Sequence, residues 1–138
     1  YYKVKKNVRG RKRLNDQRWL HISSASGEFF PDYDRARFYG KVRSSIQDLE
    51  IDSERLEVAA SEGKETLLAE GHVRVRSKGR VASAKRAALR LGSNQLVLEG
   101  DARVDAKEDR IEGKRIVLYT DDDRVEVTGA KGKIDGDS

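Results

Sequence analysis

Apolar and polar residues alternate with a period of two along most of the chain. Around Gly100 every second residue is apolar and the intervening residues are charged; the apolar set is Leu96, Leu98, Ala102 and Val104. Around Gly71 the same alternation gives an apolar set of Leu67, Ala69, Val73 and Val75. A period of two predicts β-strands with one buried and one solvated face.

The glycines mark an internal repeat. Those at positions 10, 40, 71, 100 and 129 are separated by 30, 31, 29 and 29 residues, and the last four share flanking alternation. A second feature keeps the same phase, because 51–58 (IDSERLEV), 82–89 (ASAKRAAL) and 111–118 (IEGKRIVL) align. A looser first copy lies at 19–24. The chain is therefore predicted to be built from repeats of about 30 residues.

The second strand of each repeat changes phase at one place. Ile111 and Gly113 share one parity, whereas Ile116 and Leu118 share the other. A slip of one residue predicts a β-bulge or a corner, and the repeated glycine predicts a bend or a close backbone approach. The predicted fold is all-β, a repeat-built twisted jelly roll. It has two facing antiparallel sheets with bent strands and an open edge strand at each end.

Charge divides the chain in two. Of all residues, 38% are charged and 36% hydrophobic, a composition that suggests disorder until the alternation assigns the charges to an outer face. Residues 1–13 contain seven Lys or Arg and no acid; the other 22 basic and 24 acidic residues leave a net charge of −2. We therefore predict a basic N-terminal arm, 1–13, and a single domain, 14–138. Nucleic acid is not an expected partner, because the body is not basic.

Little in the sequence indicates chemistry. There is no cysteine, and His21 and His72 lie in different repeats without the spacing of metal ligands. The triplet Asp121, Asp122 and Asp123 lacks the spacing and glycine of a calcium loop. No phosphate-binding loop or dinucleotide motif is present. We expect no catalytic residue, no metal and no cofactor.

Six segments together carry a likeness to a known family: 98–104 (LEGDARV), 109–116 (DRIEGKRI), 125–132 (VEVTGAKG), 20–24 (LHISS), 36–42 (ARFYGKV) and 51–56 (IDSERL). They resemble the OstA-like family of lipopolysaccharide transport, which includes LptA and LptC, and LptA is the closer of the two. The resemblance covers residues 19–134 and implies a twisted jelly roll in the periplasm with no enzymatic activity. The chain itself shows no signal peptide or membrane anchor.

The resemblance also implies a ligand and partners. Lipid A acyl chains of lipopolysaccharide would lie in an apolar crease between the sheets, and protomers or other Lpt-type jelly rolls would join head to tail through edge strands. The LptA pattern does not require the arm at 1–13. An arm just after a membrane anchor would suit an LptC-like protein, so both roles remain open.

The predicted lipid-groove residues are the inward apolar positions of the repeats. They are Phe38, Val42, Ile51, Leu56, Val58, Leu67, Ala69, Val73, Val75, Leu89, Leu91, Leu96, Leu98, Ala102, Val104, Ile111, Ile116, Leu118, Val125 and Val127. Small inward residues would leave room for a guest chain: Ala69, Ala82, Ala84, Ala87, Ala102 and Gly113. Basic residues expected at the groove mouth are Arg43, Arg74, Arg76, Lys85, Arg86, Arg103, Lys114 and Arg115.

Other interpretations fit the same pattern. The inward residues could form the filled core of an ordinary β-sandwich that serves as a scaffold, with small residues at tight corners. The basic residues could be outer-face charges paired with acids on neighbouring strands. The arm could bind an anionic polymer or an anionic membrane surface.

Overall fold

The computed structural model describes residues 1–122 and 124–130, and it confirms the all-β prediction. The strands are β1 (Tyr2–Arg13), β2 (Trp19–Phe30), β3 (Arg35–Ile46), β4 (Leu49–Ser61), β5 (Lys64–Ser77), β6 (Arg80–Arg90), β7 (Gln95–Ala106), β8 (Asp109–Tyr119) and β9 (Val125–Ala130). A 3-10 turn, Pro31–Tyr33, joins β2 to β3. The end of the predicted domain, 131–138, and Asp123 lie outside the described residues. Among described residues, no helix has the length and apolar character needed to cross a membrane.

The strands form one antiparallel meander in which each strand pairs with the next along the chain, from β1 to β9. Turns of two to five residues connect them, which is why sequence neighbours are also sheet neighbours. The two facing sheets of the prediction are two halves of this single sheet, which is folded along a line of bulges.

A register shift interrupts each strand pair from β1–β2 to β7–β8 near the middle. Gly40 and Lys41 of β3 both lie opposite Glu54 of β4, and Gly100 and Asp101 of β7 both lie opposite Lys114 of β8. Two residues facing one is a β-bulge, and a bulge bends its strand. The corner predicted from the phase slip is confirmed, but the extra residue of these bulges lies in the glycine-containing strand and not in the strand that shows the slip.

The glycine at each such bulge is required by close approach as well as by backbone conformation. Gly100 has φ +83°, and a Cβ there would lie 2.8 Å from the Cβ of Lys85 on the preceding strand. Gly71 meets Glu54 in the same way, and Gly40 meets Ala25. Gly10, the first glycine of the 30-residue spacing, does not lie at a bulge, because β1 bulges at Lys6 and Asn7. Edge strand β1 has no described strand on its other side, so no close approach demands glycine there.

The bulge line divides the sheet into two half-sheets. Half-sheet A carries the turns at 14–18, 47–48, 78–79 and 107–108, and half-sheet B carries those at 31–34, 62–63, 91–94 and 120–124. Buried residues of both half-sheets join one hydrophobic cluster. The inner faces therefore pack on each other, with a crease at the bulges and a mouth along the two rows of turns.

Residues 1–13, set apart in the sequence analysis as a basic arm, provide the first strand of the sheet. Strand β1 pairs with β2 from Tyr2 to Arg13, and Val8 is buried in the core. The sequence hides this strand because only Tyr2, Val4 and Val8 are hydrophobic among its twelve residues. Its backbone is held in the sheet by pairing with β2.

We predict that Gly100→Ala lowers the free energy of unfolding more than Gly79→Ala does. Both glycines have positive φ, +83° and +77°, which costs an alanine about 1 to 2 kcal/mol. Nothing lies within 4 Å of a Cβ at Gly79, whereas crowding against Lys85 should cost Gly100→Ala about 1 to 3 kcal/mol more. Urea denaturation followed by circular dichroism measures both. Equal losses would show that close approach at the bulge does not constrain the fold.

Candidate functional site

The structure brings all twenty predicted groove residues onto the inner faces of the two half-sheets, in one cluster. Seventeen are buried: Phe38, Val42, Ile51, Leu56, Val58, Leu67, Ala69, Val73, Val75, Leu89, Leu91, Leu96, Leu98, Ala102, Val104, Ile116 and Leu118. The other three, Ile111, Val125 and Val127, are partly buried and pack against the cluster. Contact with a lipid stays a prediction for all of them.

Cross-strand pairing arranges these side chains in continuous rows. One row of half-sheet B runs through Ala36, Val58, Leu67, Leu89, Leu96, Leu118 and Val125, each directly opposite the next. A row of half-sheet A runs through Ile22, Ser44, Ile51, Val75, Ala82, Val104 and Ile111. Apart from Ser44, which donates a hydrogen bond to the Ile51 carbonyl, these rows are apolar.

Side chains fill the space between the half-sheets. Leu20, Leu98 and Ile116 have no accessible surface, so no water-sized space adjoins them. The packing is therefore that of a protein interior. A long apolar guest would have to displace these side chains or part the half-sheets.

The small inward residues line the crease. Ala69, Ala84, Ala87, Ala102 and Gly113 flank the bulges, where the half-sheets converge. A Cβ on Gly113 would lie 2.6 Å from Val127, so the crease has no spare room there. Leucines and isoleucines occupy the wider part. The crease therefore matches the alternative interpretation, in which the small residues lie at tight corners.

Polar contacts between the two rows of turns close the mouth. The Asn15 backbone N–H donates to Oε1 of buried Glu65 at 2.7 Å, and the Asn15 side-chain amide donates to the Gly63 carbonyl at 2.9 Å. Farther along, Lys78 Nζ donates to the Thr120 carbonyl at 3.1 Å. Asn15 and Lys78 belong to half-sheet A, and their partners to half-sheet B. We call these three contacts the mouth contacts.

A cavity of about 60 Å³ lies at the mouth between the two sets of contacts. Leu49 and Leu89, from opposite half-sheets, line its apolar side, and Arg18, Lys78 and Thr120 line its polar side. Polar side chains of the rim and apolar side chains of the interior thus line the same cavity.

The two rows of turns, which form the two rims of the mouth, are offset from each other along the stack of strands. The β1–β2 turn of half-sheet A contacts the β4–β5 turn of half-sheet B, so among the described residues the start of half-sheet B has little cover beyond the contact of Lys12 with Asp34. Tyr2 and Val4 face inward there, opposite Phe29 and Gly27, yet are 64% and 41% exposed. We call the inner face formed by Tyr2, Val4, Phe29 and Ala36 the N-terminal ledge.

The basic residues predicted at the groove mouth do not lie there. They project from the outer face or from the bulges, because their register alternates with that of the buried residues. Three pair with acids on neighbouring strands: Arg43 with Asp52 at 3.0 Å, Arg76 with Glu50 at 3.2 Å and Lys85 with Asp101 at 3.5 Å. Arg103 pairs with Asp105 of its own strand at 3.1 Å. The sequence contained the signal for this outward position, because each basic residue on a strand alternates with residues that are buried.

Hydrogen bonds account for the perturbed carboxyl groups. A hydrogen bond from Arg110 lowers the pKa of Asp105, and one from Arg18 lowers the pKa of Asp16. The Tyr1 hydroxyl, which donates to Glu28, lowers the pKa of Glu28 on the outer face. Each shift holds a carboxylate ionised, the reverse of what a general acid needs. Within the described residues, no group of three or more His, Asp or Glu could hold a metal ion.

Sequence reasoning missed several inner-face residues. They come from the first strands and from strand ends at the mouth: Val8, Leu14, Leu20, Ile22, Ile46 and Leu49. Leu20 and Ile22 lie in the loosely matching first copy, whose alternation was a usable signal. Val97 and Val117, which pair with each other, are buried on the outer face, and the unbroken apolar runs around them were the signal.

Comparison with known families identifies this architecture. The family model described as LptA/(LptD N-terminal domain) LPS transport protein matches residues 21–124, about three quarters of the chain. The chain therefore belongs to this family of lipopolysaccharide transport proteins, and the resemblance seen in the sequence is confirmed.

The fold is similar to that of a solved structure, LptH, the LptA-homologous periplasmic component of the conserved lipopolysaccharide transport device from Pseudomonas aeruginosa. The TM-score is 0.75 at 18% sequence identity, over 84% of this chain and 92% of that one. This likeness confirms the jelly-roll fold. No curated protein matches the chain in a sequence comparison.

Proposed function

We propose that this protein is a non-enzymatic periplasmic bridge module that carries lipopolysaccharide toward the outer membrane. The observation that supports it best is the mainly apolar inner face of the folded sheet, in which buried serines such as Ser44 interrupt the apolar rows. Acyl chains of lipid A would lie between the half-sheets, and the sugars would stay outside the mouth. The periplasmic location follows the family and the LptH likeness.

The chemistry of the interior suits hydrocarbon. Each methylene that leaves water for such a surface contributes about 0.8 kcal/mol. Because the protein's own side chains fill this space, loading needs the half-sheets to part along the mouth. The mouth contacts are few, and two of the three use flexible side chains of Asn15 and Lys78. The crease is the hinge side, since the covalent backbone of each strand from β1 to β8 passes through it.

The edges of the sheet support association with a second copy or with another Lpt-type jelly roll. Strand β1 offers an edge to a further strand, a common mode of recognition. The N-terminal ledge lacks cover because of the rim offset, and half-sheet A of a stacked neighbour would lie over it. Head-to-tail stacking would then continue the apolar inner face from one molecule into the next.

The filled interior favours a second candidate function, a structural β-repeat scaffold that holds no lipid. In that case Leu98 and its neighbours serve only as a core. The two functions differ in whether lipopolysaccharide ever reaches those side chains.

We predict that a small diazirine amino acid at position 98 cross-links lipopolysaccharide and that the same residue at position 99 does not. Leu98 has no accessible surface on the inner face, whereas Glu99 is exposed on the outer face one residue away. Gel mobility and immunoblotting for lipopolysaccharide after irradiation detect the adduct. A folded variant with no adduct at position 98 supports the scaffold and contradicts the carrier.

We predict that a reversible clamp across the mouth blocks loading. Cysteines replacing Asn15 and Lys64, which lies between the two residues that Asn15 contacts, can be joined by a short cleavable thiol cross-linker. The chain has no cysteine of its own to interfere. Lipopolysaccharide binding should fall at least about tenfold when the clamp is closed, the loss of a few buried methylenes, and should return on reduction.

The matched control for the clamp places the same cross-linker between Arg86 and Glu99, which are neighbours on the outer face. That bridge should leave binding unchanged. Full binding with the mouth clamped would show that lipid does not enter between the rims.

We predict concentration-dependent self-association that Val4→Gln weakens and Lys3→Gln does not. Val4 lies on the N-terminal ledge, and adjacent Lys3 points to the other face of β1, opposite Glu28. Burying a glutamine amide without a partner costs about 1 to 3 kcal/mol. Sedimentation over a range of concentrations measures the effect. An unchanged monomer throughout, or equal effects of both variants, counts against stacking over the ledge.

A further inference from the structure

The basic residues of 1–13 have different surroundings once they are placed on β1. Lys3 lies opposite Glu28, and Lys12 points toward the mouth, where it contacts Asp34 at 3.4 Å. Arg9, Arg11 and Arg13 are all exposed at alternate positions on the outer face of half-sheet A. Among described residues, no ion pair joins any of these three to a carboxylate.

Two side chains of β2 extend this group. Trp19 and His21 lie directly opposite Arg13 and Arg11, and Trp19 is 41% exposed. The guanidinium of Arg11 lies 4.9 Å from the centre of the indole ring, and that of Arg13 lies 6.0 Å away. These distances fit cation–π contacts, which hold the arginines over an aromatic surface. We call Arg9, Arg11, Arg13, Trp19 and His21 the arginine–tryptophan patch.

The patch contrasts with the rest of the same face. Farther along half-sheet A, Arg43 and Arg76 share Asp52 at 3.0 and 3.4 Å. Arg103 and Arg110 likewise share Asp105, at 3.1 and 2.8 Å. The outer face is nearly neutralised by its own acids except at β1 and β2. Positive charge is therefore concentrated at one end of the molecule.

The orientation of the side chains indicates the kind of partner. A strand added to the edge of β1 would bond to the backbone in the plane of the sheet, whereas the arginines project at right angles to that plane. A planar partner of negative charge meets all three arginines at once. Indole rings are enriched at membrane–water interfaces, because they combine an apolar body with one polar N–H.

We propose that the arginine–tryptophan patch docks this protein on the surface of an anionic phospholipid bilayer. Arg9, Arg11 and Arg13 would bind lipid phosphates, and Trp19 would enter the headgroup region. The N-terminal end of the jelly roll would then lie against a membrane, while the mouth and the other end of the stack stay free. This docking is separate from the holding of acyl chains between the half-sheets.

The chain carries its own reporter, because Trp19 is the only tryptophan. We expect its fluorescence to shift to shorter wavelength, and its quenching by iodide to fall, when vesicles of phosphatidylcholine with phosphatidylglycerol are added. Vesicles of phosphatidylcholine alone should produce no change. Salt should reverse the effect, since it screens exposed charges. Neither vesicle contains lipopolysaccharide, so the outcome is independent of the proposed function.

The decisive variant is Arg9→Gln, Arg11→Gln and Arg13→Gln together. It should weaken binding to the anionic vesicles by roughly a hundredfold, from the usual contribution of three basic residues. A control with equal charge loss, Arg86→Gln, Arg90→Gln and Lys107→Gln, changes exposed residues away from the patch. The control should bind as the unaltered protein does, and lipopolysaccharide binding should persist in both.

Three results would overturn the docking proposal. The first is no fluorescence change with anionic vesicles. The second is an equal loss of binding in the two triple variants, which would assign the attraction to net charge and not to the patch. The third is patch-dependent binding to an acidic protein strand with no binding to vesicles, which would make the patch a protein interface.

Discussion

The close approach of neighbouring strands at the bulges is the constraint on which the rest of the structure depends. At each later bulge two residues of one strand face one residue of the next, and a glycine lets the backbones meet. Without Gly100 against Lys85, and its counterparts at Gly71 and Gly40, the meander would be a flat sheet with an apolar face in water. The row of bulges folds the sheet onto itself, so one geometric device creates the crease, the core and the mouth.

The sequence predicted the parts of the fold that depend on local order. Alternation placed Leu98 inward and Glu99 outward, and the phase slip at Gly113 located the corner, because both are properties of a single strand; the extra residue of the bulge lies opposite, in β7. Strand β1 escaped prediction, since an edge strand needs few apolar residues. Gly10 shares the spacing of the later glycines but does not lie at a bulge, because spacing alone cannot distinguish a glycine that a neighbouring strand requires from one that merely lies near the same period.

The offset of the two rims could not be predicted, because it comes from the accumulated twist of nine strands. Twist brings Asn15 over Glu65, about three strands farther along, although neither the turn that contains Asn15 nor the start of β5 has an unusual sequence. For the same reason, parity gave the inner or outer position of Arg43 and Arg103, but only the folded sheet shows which basic residues reach the mouth. Lys12, Arg18 and Lys78 do so, from strand ends that the repeat pattern does not cover.

The filled interior and a carrier function are compatible if the two sides of the fold differ in stiffness. The covalent backbone of each strand from β1 to β8 crosses the crease, whereas the described mouth is held by a few contacts that include a flexible lysine. Parting the half-sheets exposes apolar surface, which is unfavourable in water, so an empty molecule stays closed. In the proposed carrier, acyl chains would replace the contacts that opening removes. The same hydrophobic effect that seals the empty protein would therefore make hydrocarbon a guest able to hold it open.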